Sequence, residues 1–144
     1  NIGSYMRMTN TVIGDNVNAA SRLEGLTRIY RVPVICSEYI MDDIEQNVPK
    51  HGFTFVEIDT VQVKGKTTGK KIYWPIPKDY LTKELQKQIT VFAAGLVLYY
   101  DGEWKKALPM FKKSRLACAD TFIERIKDTK APKGWNGIWE MKTK

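Results

Sequence analysis

The sequence predicts an α/β fold of the α+β kind, and three observations carry that prediction. A helix-period stretch over residues 17–30 gives way to strand-type runs at 31–36, 53–63 and 70–75. A turn rich in Lys, Gly and Thr joins the last two runs as a hairpin. Past Pro75-Ile76-Pro77-Lys78 the apolar spacing becomes helical again and stays so. The chain is therefore expected to divide into a mixed unit over 1–77 and a helical extension over 78–144 that ends in a Trp-rich tail.

Each element has a local reason. Thr11, Val12 and Ile13 are strand-type residues, and Gly14 breaks them. Asp15 and Asn16 then supply N-cap chemistry. Ala19, Ala20, Leu23 and Leu26 fall on one side of a 3.6-residue wheel, which predicts a helix to about Tyr30. Asn18 and Arg22 are four apart, so they stand one above the other on a different face. Two readings fit that pair. It is a solvated helix flank, or it is an amide and a guanidinium placed to meet a phosphate ester. In the second, the guanidinium is a fixed fork for phosphoryl oxygens, and the amide both donates to and accepts from a sugar.

Residues 31–36 read as a short buried strand. Ser37 with Glu38 opens a helix through Tyr39, Ile40 and Ile44 that Pro49 and Gly52 close. Alternation over 53–63 is clearest at Val61-Gln62-Val63, and residues 70–75 return as the partner strand. Lys64, Lys66, Lys70 and Lys71 keep such a hairpin soluble and its edge unpaired. Pro75 and Pro77 are expected to end regular structure and set an extended link. Three helices should follow, at 79–100, 103–117 and 119–128, with Asp101-Gly102 as the first turn. In the tail, Trp135 and Trp139 read as indoles of an irregular strap filling a groove.

Composition narrows the function. A chain of 144 residues forms one ordinary core or two small ones. The net charge is +7, with ten basic against eight acidic side chains in 1–78 and thirteen against eight in 79–144. That suits a polyanionic partner without selecting one. No nucleic-acid motif appears, and the aromatics read as core positions, so no nucleic-acid partner is expected. The longest apolar run, residues 89–100, falls well short of the ~20 residues a bilayer span needs, and no signal peptide is visible. Cys36 and Cys118 read as free buried thiols in a reducing compartment, which predicts a cytoplasmic location.

The string Arg7-Met8-Thr9-Asn10-Thr11-Val12-Ile13-Gly14-Asp15-Asn16-Val17-Asn18-Ala19-Ala20-Ser21-Arg22-Leu23-Glu24 resembles the signature of class III adenylate/guanylate cyclases. The match is nearly unbroken over 11–24, and weaker similarity covers about 1–77. Asn10 departs from the family, which usually has an aromatic there.

The resemblance implies the C-terminal part of a ferredoxin-like cyclase sheet with helices on one face. It also implies roles. Asn18 would orient the ribose, and Arg22 would stabilise charge on the α-phosphate of ATP under attack by the 3′-hydroxyl. Thr11 stands where the family reads the base, and Lys64, in Val63-Lys64-Gly65-Lys66, where it contacts the triphosphate. The family works as a homodimer with interfacial sites and uses Mg²⁺ or Mn²⁺. Its two metal aspartates and an adenine-reading lysine lie in the preceding half of the catalytic domain, so no metal ligand is expected here and the segment alone should be inactive. Guanylate cyclase activity and a non-catalytic regulatory module are the alternatives. Gly95, Ala107 and Phe111 with Trp104 resemble a single tetratricopeptide repeat. The tail resembles the closing segment after such helices in some bacterial membrane-anchored cyclases.

Overall fold

A computed structural model describes the backbone of residues 17–62 and 68–141, with side chains from residue 23 onward. Helix α1 is Val17–Tyr30, strand β1 Cys36–Ser37, helix α2 Glu38–Asn47, strand β2 Phe53–Gln62 and strand β3 Lys70–Pro77. A 3₁₀ turn, Lys78–Tyr80, leads into α3 (Lys83–Tyr100), α4 (Trp104–Ser114), α5 (Ala117–Ile126) and strand β4 (Trp139–Glu140). The sheet order is β1-β3-β2-β4. β3 is antiparallel to β1 and β2, whereas β4 runs parallel to β2. This is an α+β arrangement with a mixed sheet.

The first strand is shorter than its composition suggests. Of the expected 31–36 only Cys36 enters the ladder, followed by Ser37. Arg31 takes a left-handed φ of 56° as the chain leaves α1, and Pro33 has no N–H to give a ladder. Val32, Val34 and Ile35 are buried all the same. The apolar run therefore reports core packing and not pairing. Ser37 caps α2 as expected, its hydroxyl accepting from the Ile40 N–H at 3.2 Å.

The prolines do not stop β3. It runs through Pro75 to Pro77, with Phe55 opposite Pro75 and Phe53 opposite Pro77. The Lys78 N–H donates to the Gly52 carbonyl at 2.8 Å, so by the two-residue period the ring nitrogens of 75 and 77 point away from β2. On that side β1 pairs only with Ile72 and Tyr73, and no ladder bond is lost. The chain turns after Pro77, where Thr82 caps α3 by accepting from the Leu85 N–H at 3.0 Å. α4 stops at Ser114, earlier than its periodicity implies, because Arg115 adopts a φ of 60°.

Helices cover both faces of the sheet, not one. Ile72 and Ile76 belong to the main core, whereas Tyr73 packs with Cys36, Ile40 and Ile44 of a second cluster. Neighbouring residues on a strand point to opposite faces, so α2 lies across the sheet from the main core.

The main core is continuous from α1 and the sheet into the helical extension. Leu26, Val56, Ile58 and Ile72 share it with Phe92, Tyr99, Phe111 and Phe122. Phe111 sits 5.6 Å from Phe92 and 4.9 Å from Phe122 between ring centroids. A β-carbon built on Gly95 would lie 3.0 Å from the Phe111 ring, so the glycine sets how closely α3 and α4 approach. A single helical pair cannot bury its own face; here α5 and the sheet cover it.

Candidate functional site

Helix α1 carries both Asn18 and Arg22. Four residues apart on one helix, they share a side of it. Their side chains lie outside the described residues, as do Thr11 and Lys64 in their entirety. The segment 63–67 that holds Lys64 joins the end of β2 to the approach to β3. The described geometry is that of α1, which carries two of these positions, and of its surroundings.

The C-terminal end of α1 is fastened at three points, two on α5 and one on β2. The Ile29 carbonyl accepts from the Thr121 hydroxyl at 2.6 Å. Arg31 reaches Asp120 at 3.3 Å on the surface. Between them Tyr30 is fully buried, and its hydroxyl donates to Asp59 at 2.5 Å.

Asp59 is the one fully buried carboxylate among the described residues. A bulge in β2 puts it there. Glu57 faces Tyr73 and Asp59 faces Ile72, which leaves Ile58 as the extra residue. The two-residue alternation that buries Val56 and Ile58 is thereby reset so that Asp59 and Val61 point inward too.

Arg125 of α5 meets that carboxylate at 2.8 Å, with side-chain exposures of 5% and 0%. The same guanidinium donates to the Tyr99 hydroxyl at 3.0 Å and the Tyr30 hydroxyl at 3.2 Å. The Trp139 ring centroid lies 3.9 Å from its central carbon. The Thr60 N–H donates to the other Asp59 oxygen at 2.7 Å. Every strong group in this network has a partner, which a charge at such depth requires.

The electrostatics follow from that depth. Burial pushes the Asp59 carboxyl up, against the pull of Arg125, Tyr30 and the Thr60 N–H. Burial and then the Asp59 charge push the Tyr30 phenol far up, so it stays a neutral donor. Burial acts to lower Arg125, but Tyr30, Asp59 and Tyr99 more than offset it and its pKa rises. The Cys36 and Cys118 thiols are free and buried, and burial pushes each up to about 12, which leaves neither a nucleophile.

A second brace holds the end of β2 and the approach to β3. β4 pairs Trp139 with Val61 and Glu140 with Gln62, and the Met141 N–H donates to the Gln62 carbonyl at 2.8 Å. On the β3 side, a β-carbon at Gly69 would fall 2.7 Å from Ile138. The tail thus packs against the last residues of β2 and against Gly69 just before β3. The groove that receives Trp135 belongs to this chain: its ring lies 5.2 Å from Tyr99 and 5.3 Å from Trp104.

Among the described residues, no group of three or more His, Cys, Asp or Glu could hold a metal ion. Asp59 is committed to Arg125, Tyr30 and Thr60. These residues do not fit a Mg²⁺ or Mn²⁺ site. No helix among them is long and apolar enough to cross a membrane.

The chain is similar to adenylate cyclases. It is 30% identical over 113 residues to the terminal-differentiation-specific adenylate cyclase of Dictyostelium discoideum, covering 77% of this chain and 5% of that protein. It is 40% identical over 73 residues to the adenylate cyclase of Anabaena cylindrica, covering 50% of this chain and 14% of that protein. It is 33% identical over 72 residues to adenylate cyclase 1 of Rhizobium meliloti (strain 1021), covering 50% of this chain and 10% of that protein. The chain thus spans a small fraction of the length of these curated relatives. No family model and no solved structure matches it.

Asp59, Arg125 and Tyr30 are the residues that reading the sequence for motifs passes over. One signal is visible in retrospect. Cys118, Phe122 and Ile126 mark the buried stripe of α5, and Arg125, three after Phe122, falls on that stripe. A cation at an inward position asks for a buried anion.

Proposed function

We propose that the chain is part of an adenylate cyclase that converts ATP to 3′,5′-cyclic AMP and pyrophosphate. The observation that carries the reading is the coincidence of two facts. The chain is similar to three proteins named as adenylate cyclases, and Asn18 and Arg22, the pair singled out by the signature-like string, lie on one helix.

In this reading the ribose 3′-oxygen forms a bond to the α-phosphorus while the bond from that phosphorus to the bridging oxygen breaks. The hydroxyl proton is lost and pyrophosphate leaves. Negative charge grows on the non-bridging α-phosphate oxygens. Arg22, already charged and held on a helix, stabilises them without reorganising. Asn18 orients the ribose, Thr11 contacts adenine and Lys64 holds the triphosphate. The site is shared between two copies of the protein, and Mg²⁺ or Mn²⁺ is held by carboxylates from outside these residues. The helical extension has its inner face filled by the sheet and α5, which weighs against a separate partner-binding module.

The test is Arg22→Ala in the full-length protein. Loss of a contact made mainly in the transition state lowers kcat for ATP by about 100-fold or more with KM changed far less. An unchanged kcat overturns the assignment, and turnover of GTP in preference to ATP would make the protein a guanylate cyclase.

A further inference from the structure

The helical extension need not touch nucleotide to matter for turnover. The helix that carries Asn18 and Arg22 ends at Tyr30, whose side chain is entirely enclosed. Its hydroxyl is used twice, donating to Asp59 and accepting from Arg125. Asp59 comes from the bulge of β2, Arg125 from α5, and Tyr99, which also accepts from Arg125, from α3. Four elements therefore meet at one guanidinium. Trp139, of the strand that pairs with Val61 and Gln62, lies against it as a fifth.

We propose that Arg125 is a positioning residue of the nucleotide site: from the helical extension it fixes, through Asp59 and Tyr30, the helix on which Asn18 and Arg22 are carried. The inference rests on the cyclase reading above. Arg22 is eight residues from Tyr30, about 12 Å along a helix axis, so a small tilt at the fastened end is carried undiminished to the reacting groups. Displacements near 1 Å are enough to cost about 100-fold in rate. The contacts are suited to fixing direction as well as distance. A planar guanidinium aligned on a carboxylate and two phenols defines an orientation that a lysine ammonium does not.

The test uses the full-length protein and three substitutions. Tyr30→Phe removes one oxygen and keeps the ring. Arg125→Lys keeps the charge and loses the planar fork. Ile44→Ala weakens the cluster on the opposite face of the sheet, far from the clamp. The expected result for Tyr30→Phe and Arg125→Lys is a kcat for ATP about tenfold below wild type with KM within about twofold. Ile44→Ala should lower the unfolding temperature and leave kcat as it was. A kcat within twofold of wild type in both clamp variants overturns the proposal, and so does an equal fall in Ile44→Ala, which would make the effect one of general stability. Hydrogen exchange provides a readout besides turnover. Amides of residues 17–30 should exchange faster in Tyr30→Phe, with residues 38–47 unchanged; equal rates throughout overturn the clamp. A wild-type protein that does not turn over ATP defeats the cyclase reading alone, and the exchange data then judge the clamp by themselves.

Discussion

Trp104 and Trp135 donate their indole N–H groups to the same acceptor, the Tyr99 carbonyl, at 3.1 and 3.0 Å. One belongs to the start of α4 and the other to the tail, so the end of α3 is gripped from two directions. Trp135→Phe keeps an aromatic ring against Tyr99 and removes the donor with one ring of the indole. It should cost about 1 kcal/mol in urea unfolding. Trp135→Ala removes the ring packing as well and should cost about 2–3 kcal/mol, below the usual range for a fully enclosed Trp.

The Asp59–Arg125 pair should behave as a coupled unit. Arg125→Met leaves a carboxylate facing an apolar core, and Asp59→Leu leaves a guanidinium there. Each should destabilise by about 3–5 kcal/mol. The double variant removes both charges and should cost clearly less than the sum of the two. A double-mutant cycle in urea measures the coupling, and additive losses would show that the pair acts independently.

Gly95→Ala tests how tightly α3 meets α4. Alanine improves the helix by up to about 1 kcal/mol. The added methyl, however, would stand 3.0 Å from the Phe111 ring and 3.2 Å from Met110. Phe111 cannot retreat, because Phe92 and Phe122 hold it from other sides. Overpacking should win, with a net loss of about 1 kcal/mol by thermal or urea unfolding.

Alkaline pH should unfold the protein through its enclosed thiols. Burial raises Cys36 and Cys118 from 9.0 to about 12 in the folded chain. A raised acid of this kind favours the folded state fully below the unfolded value and loses that contribution as pH climbs to the folded one. Between pH 9 and 12 the unfolded chain sheds protons that the folded chain keeps, at about 1.4 kcal/mol per pH unit for each thiol. Tyr30, Tyr99 and Tyr100, all pushed up by burial, add to the trend at its upper end. Urea titrations at pH 8, 9 and 10 should show falling midpoints, less steeply in Cys36→Ala/Cys118→Ala. Neither cysteine should react with a thiol reagent at neutral pH until the protein unfolds.

The elements with a strong period or cap could be read without a structure. Ser37 announced α2, and Gly95, Ala107 and Phe111 announced the close helical pair. The misreadings share a cause, which is that a side-chain pattern reports burial while pairing depends on the backbone. Val32, Val34 and Ile35 are apolar because they are enclosed, yet Arg31 and Pro33 deny them a ladder. Pro75 and Pro77 look like breakers, and they are tolerated because β1 stops short of them. The bulge at Asp59 has no local mark in the sequence, and its partner lies 66 residues away. No window of neighbouring residues joins those two. Of the candidate site, the signature helix was legible, whereas its mounting depended on contacts between distant segments.

The parallel pairing of Trp139 with Val61 has a consequence for how the molecule comes into being. A ribosome makes α1 and the β2–β3 hairpin long before it makes residues 139–141. During that interval the outer edge of β2 lacks β4, and the Asp59 carboxylate waits for a guanidinium not yet translated. The nascent domain therefore holds an open strand and an uncompensated charge, the combination that invites misassembly. Synthesis from N to C makes residues 139–141 arrive after every element they brace, and their arrival closes that edge and covers the guanidinium.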